Sequence, residues 1–256
     1  MRLNDYRKTA TTVLALMAAM VFAPSGNAAL VNYSQNFEGL NQTDEAALGN
    51  DGWKIFANVY SGGAEVNGGT YVSSYPAVPE PAPNNGPGFS TIVQGQGGVP
   101  QGDQQLSVYS DYSNIEMSVY YIDALVFQEQ TIDAADAGSN WSFSFDAKQG
   151  NQSADSSSLA FIKTLDGSFV TTQSTTGLGT TWSTYTLDLL IPADNSLDGQ
   201  LLQFGFSSTA TNWNPSGVFY DNINFSSPSA VPLPGAVWLM MSGLLGLIGV
   251  ARQRNS

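Results

Sequence analysis

The chain has no cysteine and no histidine in 256 residues, and only eight lysines and arginines. Each shortage excludes something. Without cysteine there is no disulfide framework, so stability has to come from a large core or a bound metal. Without histidine or cysteine there is no Ser-His-Asp or Cys-His nucleophile and no histidine-ligated zinc. Any catalysis would rest on carboxylates, Tyr, Lys or Ser. Positive charge is nearly absent from the body: between Ala29 and Ala230, 20 Asp and Glu face only Lys54, Lys148 and Lys163, a net of −17. Such a body is repelled by nucleic acid and by anionic lipid, which removes nucleic acid as a partner.

The few remaining basic residues sit at the two ends. Arg2, Arg7 and Lys8 precede an apolar run from Thr9 to Ala23, and small residues follow to Ala29. This is the layout of a secretory signal peptide, residues 1–28, removed by signal peptidase after Ala28. Cleavage after Ala29 would place Asn27 at the −3 position, which fits less well. At the other end, Ser226 to Ala230 reads as a flexible linker (226–230). Then come Val231-Pro232-Leu233-Pro234, a 17-residue apolar stretch from Gly235 to Ala251, and a basic tail over 252–256 with Arg252 and Arg254. Seventeen residues at 1.5 Å each span about 25 Å, just enough for a transmembrane helix anchored by Trp238 and the arginines. The positive-inside rule keeps the tail cytoplasmic and the acidic body outside.

Between the ends the pattern is all-β. Trp141, Phe143, Phe145 and Ala147 alternate strictly with Ser142, Ser144, Asp146 and Lys148, the clearest half-buried strand in the chain. Strands are also expected over 31–38, 53–57, 70–73, 106–109, 115–121, 124–132, 159–165, 168–172, 181–191, 201–207 and 218–225. Asp166-Gly167 marks a hairpin. Residues 75–104 hold six prolines among many glycines, and the spacing predicts a long surface loop. No body segment has a helical period. The expected fold is a β-sandwich of jelly-roll type over residues 29–225.

Two stretches resemble known families. The order Val231–Pro234 motif, apolar helix, basic tail closely resembles the PEP-CTERM sorting tag (231–256) in its Val-Pro-Leu-Pro variant, with Gly235 where alanine is usual. The resemblance implies a Gram-negative bacterium that makes exopolysaccharide. It also implies an exosortase as partner, with only transient anchoring in the inner membrane. In the body, Asn36-Phe37-Glu38-Gly39, Gly52-Trp53, Phe127-Gln128-Glu129-Gln130, Asn140 to Ala147, Trp182 to Leu187 and Gly217 to Ile223 together resemble a galactose-binding-like jelly roll of the carbohydrate-binding-module type. That likeness implies a structural Ca²⁺ held by Glu38 and Asp221, with Asn222 and Gly39 as supporting ligands. It also implies exposed aromatic rings that stack on sugars. Trp53, Tyr112 and Trp213 are the candidates, with Tyr109, Tyr120 and Tyr121 behind them.

The expected function is a non-enzymatic, exported protein, sorted by exosortase to the cell surface or extracellular matrix and associated with biofilm exopolysaccharide. The alternative is a calcium-dependent carbohydrate-binding module with one defined glycan. A third reading is a carboxylate-dependent glycosidase drawing on acids such as Glu116, Asp123 and Glu129, which no sequence pattern pairs.

Overall fold

The computed structural model describes residues 29–61, 70–76, 90–110, 120–153, 156–210 and 216–227. These residues form twelve strands: β1 (Tyr33–Gln35), β2 (Lys54–Ser61), β3 (Thr70–Pro76), β4 (Ser90–Gln94), β5 (Gln104–Val108), β6 (Tyr120–Thr131), β7 (Asn140–Gln152), β8 (Ser157–Thr164), β9 (Val170–Ser174), β10 (Ser183–Leu190), β11 (Leu201–Ala210) and β12 (Ser216–Ser226). A four-residue helix, α1 (Ala47–Asn50), and a 3₁₀ turn (Ala134–Asp136) complete the described elements.

The strands make two antiparallel sheets. Sheet A runs β10-β7-β12-β5-β4, with β1 paired to the far half of β12; sheet B runs β3-β2-β6-β11-β8-β9. The pairing is nested. β8 pairs with β9, β7 with β10, β6 with β11 and β5 with β12. A long antiparallel hairpin rolled across two sheets gives this order, which is the jelly roll.

Strand alternation builds the core. Trp141, Phe143, Phe145 and Ala147 of β7 all point inward and are buried. They meet Phe204 and Phe206 of β11 from the opposite sheet, with Phe143 at 5.4 Å from Phe204 and 5.5 Å from Phe206 between ring centroids. Phe225 stacks on Phe204 and Tyr220 on Phe206, so β12 closes the layer. Burying one such ring is worth about 2–3 kcal/mol. A single disulfide is worth a similar amount, so a core of stacked rings can substitute for the missing cystines.

The strand expectations need four corrections. β1 is only three residues long, because the chain turns at Asn36 to Gly39. The expected loop over 75–104 contains a strand, β4, whose Ser-Thr-Ile-Val-Gln run pairs with β5. Residues 77–89 of that loop lie outside the described residues. The strand expected over 124–132 begins earlier, at Tyr120, and runs for twelve residues, taking in the end of the strand expected over 115–121, of which residues 115–119 lie outside the described residues. A single helical turn, α1, buries Ala47 and Leu48 in a body where no helix was expected. Residues 1–28 and 228–256, which carry the expected signal peptide and sorting tag, also lie outside the described residues. Among the described residues no helix is long and apolar enough to cross a membrane.

Candidate functional site

Glu38 and Asp221 are brought together by the topology. Glu38 sits in the turn after β1, Asp221 lies on β12, and β1 pairs with β12. Both acids stand beside unusual backbone. Phe37 has φ 60° and Asn222 φ 47°, two of only three non-glycine positive φ values among the described residues. Left-handed backbone at such residues costs free energy and persists where packing imposes it. At Phe37 the cause is the fully buried ring; at Asn222 it is a bulge between Asp221 and Asn224.

A third acid joins them. Asp146 of β7 is the direct cross-strand partner of Asp221. Like charges placed opposite each other are unfavourable. Asp146 is nevertheless well satisfied: Oδ2 accepts from Gln101 Nε2 at 2.9 Å and Asn222 Nδ2 at 2.8 Å, and Oδ1 accepts from Thr184 Oγ1 at 2.6 Å. Burial raises its carboxyl, but the bonds from Asn222, Thr184 and Gln101 outweigh that and hold it below the usual range. Asp221 is compensated only in part, its Oδ1 accepting the Asn222 N–H at 2.6 Å. It is fully buried, and its Oδ2 has no hydrogen-bond partner. Burial, with the charges of Glu38 and Asp146 nearby, pushes its carboxyl up to about 7. The neighbouring Gln105 amide donates instead to the Gln101 and Gly102 carbonyls.

The loop between β4 and β5, residues 95–103, closes over this cluster. Glu38 Oε1 accepts the backbone N–H groups of Asp103 and Gln104 at 2.8 and 2.6 Å. Asn222 Nδ2 donates to the Pro100 carbonyl. Gly102 has φ 58°, and a Cβ there would stand 2.5 Å from Glu38 Oε1. Trp182 Nε1 and Lys148 Nζ hold the loop's start through Gln96. Just below, Gln104 Nε2 faces the carbonyls of Phe37, Glu38 and Leu40 at 3.1, 3.2 and 3.1 Å. Two amide hydrogens thus serve three oxygens.

This donor set fits a hard, oxygen-ligated cation. Asp221 Oδ2 is an orphaned buried oxygen and Glu38 stands beside it, while the Phe37, Glu38 and Leu40 carbonyls of the adjoining turn converge on Gln104 Nε2. Among the described residues no three acidic, histidine or cysteine side chains are arranged to hold a metal by themselves. Carbonyl oxygens would therefore have to supply much of the shell.

The sugar-stacking candidates fare differently. Trp53 belongs to the core, which corrects its reading as an exposed platform. It is 3% exposed and packs on Tyr33, Phe37 and Phe206. Tyr112 and Trp213 lie outside the described residues, and Tyr109 is half-buried. Tyr120 and Tyr121 lie on β6. Beside the acid cluster, Ser34, Gln35, Asn36, Asn222, Ile223 and Asn224 line an open groove of about 470 Å³. Four of the six carry carboxamides. Sequence reasoning missed this groove and Asp146; the Asn-rich run Asp221 to Asn224 was the available signal.

The opposite face of sheet B carries a second polar set. Ser207 and Thr209 donate to Asp123, whose carboxyl burial pushes above its usual range. Glu129 pairs with Lys54 and accepts from Gln203. Asp123 and Glu129 lie six residues apart on one strand, so about 20 Å separates them. Paired glycosidase carboxyls stand about 5–9.5 Å apart, so these two do not form such a pair. Glu116 lies outside the described residues.

No protein-family model and no curated protein matches the chain. Solved structures do. A cyclase from Fischerella sp. TAU, in complex with a pyrrolidinylidene-indole, is 15% identical over 80% of this chain and 98% of its own, with a TM-score of 0.44. The CBM22-2 xylan-binding domain from Paenibacillus barcinonensis is 14% identical over 54% and 86%, TM-score 0.35. A family 16 carbohydrate-binding module is 10% identical over 54% and 85%, TM-score 0.35. Enzymes and sugar-binding modules thus stand side by side at similar distances, and the fold assignment rests on the strand pairing of the chain itself.

Proposed function

We propose that this chain is an exported, non-enzymatic β-sandwich that associates with extracellular polysaccharide, its two chain ends clasped by Ca²⁺ between Glu38 and Asp221. The observation that supports the clasp is the buried, partnerless Oδ2 of Asp221, set beside a second acid from the opposite end of the fold. A divalent ion would cancel the repulsion and tie the β1 turn to β12. The sequence at the ends supports the route: a signal peptide for export, and the Val231–Pro234 motif, apolar stretch and Arg252/Arg254 tail for exosortase processing at the inner membrane. The product would reside at the cell surface or in the matrix. Substituting Pro232 and Pro234 by alanine in the producing cell tests the route. The variant should accumulate in the membrane fraction; normal release would overturn the sorting role.

The groove supports the second reading, a calcium-dependent carbohydrate-binding module. Asn36 and Asn224 carry carboxamides that suit sugar hydroxyls, next to the cation clasp, while Asn222 and Gln35 are held by Pro100, Asp146, Asp51 and Phe37. A glycan array run with Ca²⁺ and with chelator separates the readings. A discrete ligand lost on chelation and in Asn224→Ala establishes the module. Absence of any discrete ligand leaves the matrix role.

A further inference from the structure

We infer that Asp136 is the seat of the mature N-terminus, its carboxylate pairing with the α-ammonium that removal of residues 1–28 creates on Ala29. The inference rests on the reading of that segment as a signal peptide, and goes beyond it by giving the new terminus a structural partner.

The first residues after the expected cut are fixed to the fold by side chains about a hundred positions away. The Leu30 N–H donates to both carboxylate oxygens of Asp136, at 3.2 and 3.0 Å. The next residue is held on both of its backbone groups: Val31 N–H donates to Gln130 Oε1 at 2.8 Å, and Gln130 Nε2 donates to the Val31 carbonyl at 3.1 Å. The Leu30 side chain enters the core. The chain is thereby aimed so that Ala29, itself exposed, emerges at the Asp136 carboxylate.

Asp136 is placed to need a cation. It is 5% exposed, at the end of the 3₁₀ turn, where its Oδ2 also accepts the Asp133 N–H at 2.9 Å. Among the described residues its carboxylate has no ion-pair partner. Neutral N–H donors hold a buried carboxylate but bring no opposing charge, and burying an unpaired charge is costly. Nitrogens of adjacent residues are separated by one Cα and one carbonyl carbon, at most about 3.7 Å. The Ala29 nitrogen therefore lies within about 7 Å of the carboxylate. In the precursor that nitrogen is a neutral amide. After cleavage it is an ammonium, and in a body of net charge −17 it becomes one of four cationic groups. Processing would complete the fold electrostatically as well as detach its N-terminal end from the membrane.

Three forms of the chain through Ser256 test this in detergent: one beginning at a free Ala29, one with Ala29 acetylated, and one beginning at Gly26. By calorimetry the free Ala29 form should melt about 3 °C above the other two. In Asp136→Asn the three should melt together, because the carboxylate charge is gone while an acceptor oxygen remains. Equal melting of free and acetylated wild-type chains overturns the pairing, and this comparison stands even if Asp136→Asn fails to fold. Mass spectrometry of the exported protein addresses the premise separately. A terminus at Ala29 supports it; any other terminus overturns both the processing reading and this role.

Discussion

At the scale of single residues, Asp221 makes the sharpest prediction. Its carboxyl stands at about 7 in the fold against an ordinary value of 3.8. A raised folded value means that the protonated form is the one the fold prefers. Its stabilising contribution is fully present below about pH 4 and is lost as the pH rises through 7. Chelated wild-type protein should therefore lose stability between pH 4 and 8. Asp221→Asn, which keeps the acceptor for the Asn222 N–H, should flatten that loss and melt several degrees higher at pH 8 with chelator present. Thermal melts across that range check it; an unchanged slope in the variant would refute the assignment. Trp53 makes a contrasting prediction. As a core ring against Tyr33, Phe37 and Phe206, Trp53→Ala should cost about 3–5 kcal/mol by denaturant unfolding. The resemblance to sugar-binding jelly rolls suggested exposure. What buries it is contact with β1 and β11, which no local pattern reveals.

At the scale of elements, the strands were legible wherever one face is buried and the other wet. β7 is the model case, since Trp141 to Ala147 alternate as the core requires. The same alternation misleads at Asp146. Its position puts it on the outward face, but the 95–103 loop covers that face and Asp146 is buried there. β4 was hidden for a similar reason. Five residues between proline- and glycine-rich flanks carry too little periodicity, and pairing with β5 decides their state. The loop itself is clamped by Glu38, Asn222 and Asp146, residues of three distant segments. Gly102 is the position where this clamp is most sensitive. Its φ of 58° suits glycine, and a side chain would press on the Glu38 carboxylate. Gly102→Ala should displace Glu38, lower the melting temperature by a few degrees, and weaken any Ca²⁺ response about tenfold or more. Isothermal titration with Ca²⁺ against wild type reads the second effect directly.

At the scale of the whole molecule, the fold works against its own charge. Twenty acids against three lysines leave the body repelling itself, and no disulfide holds the layers together. The jelly roll makes this acute at one place. Nesting the strands brings the first turn and the last strand side by side, so acids 183 positions apart in sequence become neighbours. The resemblance of Asn36 to Gly39 and Gly217 to Ile223 to a known module was enough to anticipate that meeting. The covering loop, the third acid and the amide groove depend on how the 95–103 loop and the β12 bulge pack, and could not be anticipated. Two effects of calcium have to be separated here: general screening of the −17 body, and specific occupation of the clasp. Monovalent salt at matched ionic strength supplies only the first. Micromolar Ca²⁺ changes ionic strength negligibly, yet should raise the melting temperature of chelator-stripped protein by about 5 °C or more, following the binding relation RT ln(1 + [L]/Kd). Glu38→Gln and Asp221→Asn should each abolish that rise while leaving the response to sodium chloride intact. A calcium effect that sodium chloride reproduces in full, or that survives both substitutions, would assign the stabilisation to screening and remove the clasp.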